Sequence, residues 1–239
     1  MIIERPATTR GQVAIGWLDS RHTFSFGHYH DPAWMGFGPL RVINEDRVQP
    51  GAGFAPHRHA NMEILSYVLD GGLAHQDSSG GGGVAAGVIG PGELQWMSAG
   101  HGVEHSEYNA SDAAPVHFLQ IWIQPARLNH APTYAQRAAI PADARGWTLL
   151  ASPDGRDGSL AIRQDADVYD VRLDRDETAE HVLDPARLYW LHVAQGAITA
   201  NGRALQVGDA LGFQAESGVL RLQGAGEGRA DVLLFDLPH

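Results

Sequence analysis

The chain contains no cysteine and no lysine. The first absence excludes disulfides, zinc ribbons, iron–sulfur clusters and thiol catalysis. The second excludes Schiff-base chemistry. Any metal would have to be held by nitrogen and oxygen donors, which admits iron, manganese, cobalt, nickel, copper or zinc and disfavours a thiolate-selected ion. No run approaches the roughly 20 apolar residues needed to cross a bilayer. The stretch Met1-Ile2-Ile3-Glu4-Arg5-Pro6 lacks the basic region and apolar core of a signal peptide. The expectation is a cytoplasmic protein that makes no use of a membrane. Positive charge is also scarce: 17 basic residues face 28 acidic ones, for a formal net charge of −11. With no arginine cluster in sight, direct nucleic-acid binding is not expected.

Helix signals are few; Thr133-Tyr134-Ala135-Gln136-Arg137 and Asp184-Pro185-Ala186-Arg187 read as single helical turns at most. What fills the chain is β pattern. Leu40-Arg41-Val42-Ile43, Glu63 to Leu69 and His117 to Ile123 are short runs rich in branched and aromatic residues. Gly, Asp, Asn and Pro clusters separate them at the spacing of a sandwich or barrel. The 29 glycines suit many tight turns. The run Ser78-Ser79-Gly80-Gly81-Gly82-Gly83 has no basic residue and no P-loop spacing, so it reads as a hairpin tip. A weak repeat relates Tyr67–Gly71 and Ile89–Leu94 to Trp190–Gly196 and Leu205–Leu211. Each pair reads as strand, turn, strand, Gly-acid corner, strand. Two copies of one β-barrel, joined within 125–145, account for it in 239 residues.

Histidine is unevenly spread, with ten of 13 in the first 130 positions. The sharpest feature is Pro56-His57-Arg58-His59, answered by His105-Ser106-Glu107. Side chains alternate sides along a strand, so His57 and His59 share one face, and so do His105 and Glu107. Two such strands in apposition would present three imidazoles and one carboxylate to a common point. That donor set suits a divalent transition metal and leaves coordination positions open. The second half keeps only His181, His192 and His239, with neither pattern, and reads as a stabilising or pocket-shaping copy.

Gly51, five residues, His57-Arg58-His59, three residues and Glu63 match the first cupin motif, while Gly102, two residues, His105, three residues and Asn109 match the end of the second. More narrowly, the chain resembles the pirins. That resemblance rests on His22–Phe26, Arg41–Asp46, Pro56–His59, Leu94–Gly100, His105–Glu107 and Ala151–Ser159, and covers residues 15–160. It implies an all-β bicupin: residues 1–130 as a metal-binding barrel and 131–239 as a barrel without ligands. It implies His57, His59, His105 and Glu107 as the metal ligands. Generic cupins take their carboxylate from the first motif, which would be Glu63, and strand geometry alone does not choose between the two acids. The resemblance favours Glu107, leaving Glu63 to fix a ligand imidazole. His101 and the pair His28 and His30 read as turn and loop residues.

The activity the resemblance implies is quercetin 2,3-dioxygenation, with Fe(II) as the first choice of metal and Mn, Ni, Co, Cu or Zn admitted. Glu107 would be the base that takes the flavonol's proton. Phe24, Phe26, Trp96 and Met97 lie in segments next to the ligand strands and are candidates to line a pocket for a flat aromatic substrate, with ordinary barrel core as the favoured reading of each taken singly. Eukaryotic pirins imply another role, an iron- and redox-sensing module that binds a protein partner. A cupin acting on another small metabolite is a third. Nearly closed barrels hide most strand edges, so a monomer is expected.

Overall fold

The computed structural model describes residues 1–78 and 85–239. Most of the glycine run expected to be a hairpin tip therefore lies outside the described residues. Among the described residues every regular element is a strand, apart from two 3-10 turns at Ala7–Thr9 and Arg156–Gly158. The all-β expectation holds.

Each half pairs a seven-stranded sheet with a four-stranded one. In the first half the large sheet runs Thr133–Arg137, Leu94–Ser98, Glu63–Asp70, Val116–Ile123, Leu40–Val48, Leu18–His22, Gly11–Ala14. Its small partner runs Gly53–His59, Val103–Asn109, Leu73–Asp77, Ala85–Ile89. The second half repeats the plan, with Ile2–Arg5, Ala210–Gln214, Leu188–Gln195, Ala230–Leu237, Asp167–Leu173, Thr148–Ser152 and Leu160–Ala161 in the large sheet. Thr178–Leu183, Gly218–Gly224, Ala197–Ala200 and Arg203–Gln206 form the small one. The duplication read from the sequence is a duplication of this eleven-strand plan.

The two large sheets pack against each other. One core joins Ile43, Leu65, Leu119 and Ile121 of the first to Val168, Trp190, Leu233 and Phe235 of the second. Central strands such as Glu63–Asp70 and Leu188–Gln195 are buried on both faces, hence their near-continuous apolar sequences. Trp190 is fully buried against Phe24 and Phe37, at ring-centroid distances of 5.0 and 5.2 Å. Tyr67 Oη crosses the same interface to lie 3.1 and 2.9 Å from carboxylate oxygens of Asp170 and Asp231. Burial and the neighbouring Asp231 push the Asp170 carboxyl well above its ordinary range, which favours a proton retained in this cluster.

The end strands tie the halves together. Ile2–Arg5 adds to the second large sheet by pairing with Ala210–Phe213 before the chain builds the first barrel. Thr133–Arg137, read from sequence as a helical turn, is instead an edge strand paired with Leu94–Ser98. The exposed edge of Leu94–Ser98 offers a ladder of backbone partners that a single isolated helical turn lacks. Asp184–Arg187 does form a turn, with the Arg187 N–H donating to the Asp184 carbonyl at 2.9 Å.

Candidate metal centre

The two histidine strands are neighbours in the small sheet. Gly53–His59 runs antiparallel to Val103–Asn109, with His57 opposite His105 and His59 opposite Val103. The register then shifts: Glu107 opposes Phe54, so Ala55 and Pro56 together face Ser106 alone. This bulge accounts for Pro56, which has no N–H to give a ladder. Gly53 is equally local in cause, since a Cβ there would sit 2.3 Å from the Glu107 carbonyl oxygen. Close approach of the two backbones requires glycine.

Three imidazoles converge as the spacing predicts. Ring centroids of His57, His59 and His105 are 4.5 to 4.8 Å apart, and their ligand atoms lie within 4.8 Å of one another. His57 Nε2 and His105 Nε2 approach to 3.0 Å. His57 Nδ1 lies 2.8 Å from the Ala55 carbonyl oxygen, which fixes the proton on Nδ1 and leaves the Nε2 lone pair free. Burial, with His57 adding to it, lowers His59 to about 4. Burial and the neighbouring His57, His59 and His75 lower His105 to about 2. Both rings are therefore held neutral near pH 7, the form in which imidazole binds a metal.

Glu107 is buried in the same strand but turned elsewhere. Its Oε2 accepts from Gln120 Nε2 at 2.6 Å, and its Oε1 lies 3.0 Å from Ser66 Oγ. Its carboxyl is pushed up to about 7, chiefly by burial and further by nearby Asp46, against the hydrogen bonds of Ser66 and Gln120. It stands outside the cluster of ligand atoms formed by the three histidines.

Glu63 is committed to another task. It accepts from Ser98 Oγ at 2.6 Å, Trp96 Nε1 at 2.8 Å and the Arg163 N–H at 3.1 Å. It pins the segment around Arg163 to the first barrel, and none of these partners is an imidazole, contrary to the role expected for it. His28, His30 and His101 are exposed on turns and loops, as read from sequence.

Beside the histidines opens a cavity of about 490 Å³. Trp17, Phe26, Phe54 and Trp122 wall it, and Asn44, Asp46, Gln120 and Glu107 supply its polar side. Trp122 sets its indole 4.8 Å from the His59 ring and 5.3 Å from Phe26. Of the four candidate lining residues Phe26 faces this cavity, and the other three are core, the reading favoured for each singly. Phe24 packs on Trp190 across the interface, Trp96 bonds Glu63, and Met97 is buried with Ile64 and Val103. Sequence reading missed Trp17, Phe54 and Trp122, and also the polar set Asn44, Asp46, Ser66 and Gln120. A usable signal existed for Ser66 and Gln120, each of which interrupts a run of apolar residues, and Gln120 and Trp122 share a face by period two.

Comparison with known proteins agrees with this architecture. The family described as Pirin matches residues 4–123, and one described as quercetinase C-terminal cupin domain matches 149–237. A quercetin 2,3-dioxygenase of Escherichia coli K12 is 44% identical over 238 residues, covering 100% of this chain and 99% of the relative. A pirin-like protein of Caulobacter vibrioides is 38% identical over 219 residues, covering 91% and 92%. Among solved structures, the bacterial pirin YhhW from Escherichia coli, in complex with nickel(II), superposes with a TM-score of 0.91. It shares 44% identity with this chain, with 100% of this chain and 99% of that one covered.

Proposed function

This chain belongs to the pirin family, and from that premise we propose that its first barrel is a divalent-metal site for oxygenation of a flavonol-like aromatic substrate. The observation that carries the proposal is three imidazoles gathered at the edge of an aromatic-walled cavity of about 490 Å³. That volume is within the roughly 300–1,000 Å³ range of small-molecule sites.

The residues fit a metal. His57, His59 and His105 offer clustered nitrogen donors, and Glu107 is the buried carboxylate that would complete the set. A bound cation favours an ionised carboxylate, so loading would lower the Glu107 pKa from about 7. The nitrogen and oxygen donors admit the nickel of the Escherichia coli relative. Fe(II) is the ion proposed for the reaction here. When bound, such an ion would supply a Lewis-acidic and redox-capable centre where flavonol and dioxygen can meet.

The protein's own contributions follow from the cavity. Trp122 and Phe26 offer crossed aromatic faces to a flat ring system, and Trp17 and Phe54 close the apolar wall. Glu107 would take the proton of the substrate hydroxyl. An ionised carboxylate is the form that can accept that proton, and Ser66 and Gln120 hold it in place. The substrate is a small aromatic molecule; the chain is proposed to act as a monomer without nucleic acid. None of its described helices is long and apolar enough to cross a membrane.

The deciding experiment is anaerobic loading with Fe(II), then quercetin and air, following loss of flavonol absorbance and release of carbon monoxide. Metal-dependent carbon monoxide that disappears in Glu107→Gln supports the proposal. Tight metal binding with no turnover would favour the sensor with a protein partner, or a cupin working on another metabolite.

A further inference from the structure

His105 touches a second histidine behind the cluster. Its Nδ1 lies 3.2 Å from His75 Nε2, on the side away from His57. His75 Nδ1 in turn lies 3.6 Å from Asp77 Oδ2, an ion-pair distance rather than a full hydrogen bond. Both side chains are completely buried. The alignment comes from the ladder: on Leu73–Asp77, His75 pairs with Glu107 and Asp77 with His105, and period two turns His75 and Asp77 to one face. The His75 ring is also held face-on. Tyr134, from the edge strand Thr133–Arg137, stacks on it at 5.0 Å and 13°.

We propose that His75, oriented by Asp77 and Tyr134, is the positioning residue that sets the tautomer and aim of His105. The proton assignments then run in one direction. A carboxylate can only accept, so Asp77 draws the His75 proton to Nδ1. His75 Nε2 is left as an acceptor and receives the His105 Nδ1 proton. His105 Nε2 is therefore left unprotonated 3.0 Å from His57 Nε2, an approach that an intervening cation makes favourable. His57 reaches the same state by a different device, the Ala55 carbonyl. Outer partners of this kind are commonly worth about 10–100-fold in metal affinity. This inference rests on the proposed metal site and adds how one of its donors is prepared.

The test uses the full-length protein and Ni²⁺ as the probe. Calorimetric titration should show affinity falling about 10–100-fold in His75→Leu. His75→Gln, which restores an acceptor near the Nε2 position, should recover most of the loss. Long-range ¹H–¹⁵N spectra of the metal-free wild type should place the His105 proton on Nδ1. That preference should be lost in His75→Leu and kept in His75→Gln. Wild-type affinity in a folded His75→Leu would overturn the proposal. So would a wild-type His105 proton on Nε2, a readout that remains if His75→Leu does not fold. Failure of wild-type protein to bind Ni²⁺ would sink the metal reading instead, and the metal-free tautomer separates the two failures.

Discussion

The two barrels share one strand plan and differ in what fills them. In the second, a single apolar core joins both sheets, with Val171, Leu191, Val193, Leu220, Leu222 and Leu234 buried together. In the first, the interior splits into two smaller apolar clusters, one around Val48, Val68 and Phe118 and one around Ile64, Met97 and Val103. Between them lie buried polar side chains: Asn44, Asp46, Ser66, His75, His105, Glu107 and Gln120. The strand that carries His105 and Glu107 has its counterpart in Gly218–Gly224, where Leu220 and Leu222 face inward. One copy spends its interior on cohesion, and the other on a site. The first barrel can tolerate its polar band because its large sheet also packs on the second through the shared core around Trp190.

The largest effect should come from removing ligands on one side of this comparison only. His57→Ala or His105→Ala should abolish stoichiometric metal binding. His181→Ala, on the counterpart of the first histidine strand, should leave it unchanged. Calorimetric titration with Ni²⁺ checks all three. A His57→Ala protein that binds as tightly as wild type would show that the donor set is misassigned.

Exchanging the fillings should be asymmetric. Leu222→Glu places a carboxylate in a continuous apolar core and should cost more than about 3 kcal/mol of folding stability, or protonate to escape. Glu107→Leu removes a buried carboxyl and leaves Ser66 and Gln120 short of an acceptor. Its cost should stay within about 1–3 kcal/mol. Urea unfolding of the metal-free proteins compares the two. Equal losses would mean that the polar band is structural rather than retained for a site.

Acidity should distinguish the barrels next. Glu107 is raised to about 7 from 4.5, so across that window the folded state binds more protons than the unfolded chain. Its contribution to stability therefore declines as pH rises from about 4.5 through 7. His59 runs the other way. Lowered to about 4 from 6.5, it binds fewer protons when folded, so stability grows as pH rises through that interval. The difference in stability between wild type and Glu107→Gln isolates the first effect. It should move against wild type from pH 5 to 8, and saturating Ni²⁺ should flatten it. A difference independent of pH would show that Glu107 is ionised throughout.

Much of this was legible in the residues because period two converts sequence spacing directly into a shared face. His57 with His59 needed nothing more, and the duplication showed as a repeated strand, turn, strand, Gly-acid corner pattern. Three kinds of feature were not legible. Thr133–Arg137 took its conformation from an edge that only the folded sheet provides. The fate of Glu63 depended on Arg163, a hundred residues away in the second half of the chain. His75 met His105 through a strand pairing whose register no local pattern announces. The pocket walls failed for a related reason. Phe24 and Trp96 are as aromatic as Phe26 and Trp122, but they sit on the face given to the other barrel.

Trp122 offers the finest test of that division. Its strand corresponds to Ala230–Leu237, where Val232 and Leu234 fill the core, so its indole marks a place where packing has been exchanged for a cavity wall. Among the described residues the indole nitrogen has no hydrogen-bond partner, so within the protein the ring contributes through its face and area. Trp122→Phe keeps an aromatic face beside His59 and should change KM for a flavonol by less than about threefold, under 1 kcal/mol. Trp122→Ala removes the wall and should raise KM about tenfold, corresponding to roughly 1.4 kcal/mol of lost contact. Metal affinity should be unaltered in both. If Trp122→Phe were as poor as Trp122→Ala, a bond from the indole N–H to substrate would be implied. If neither changed KM, the aromatic cavity would not be where the substrate lies.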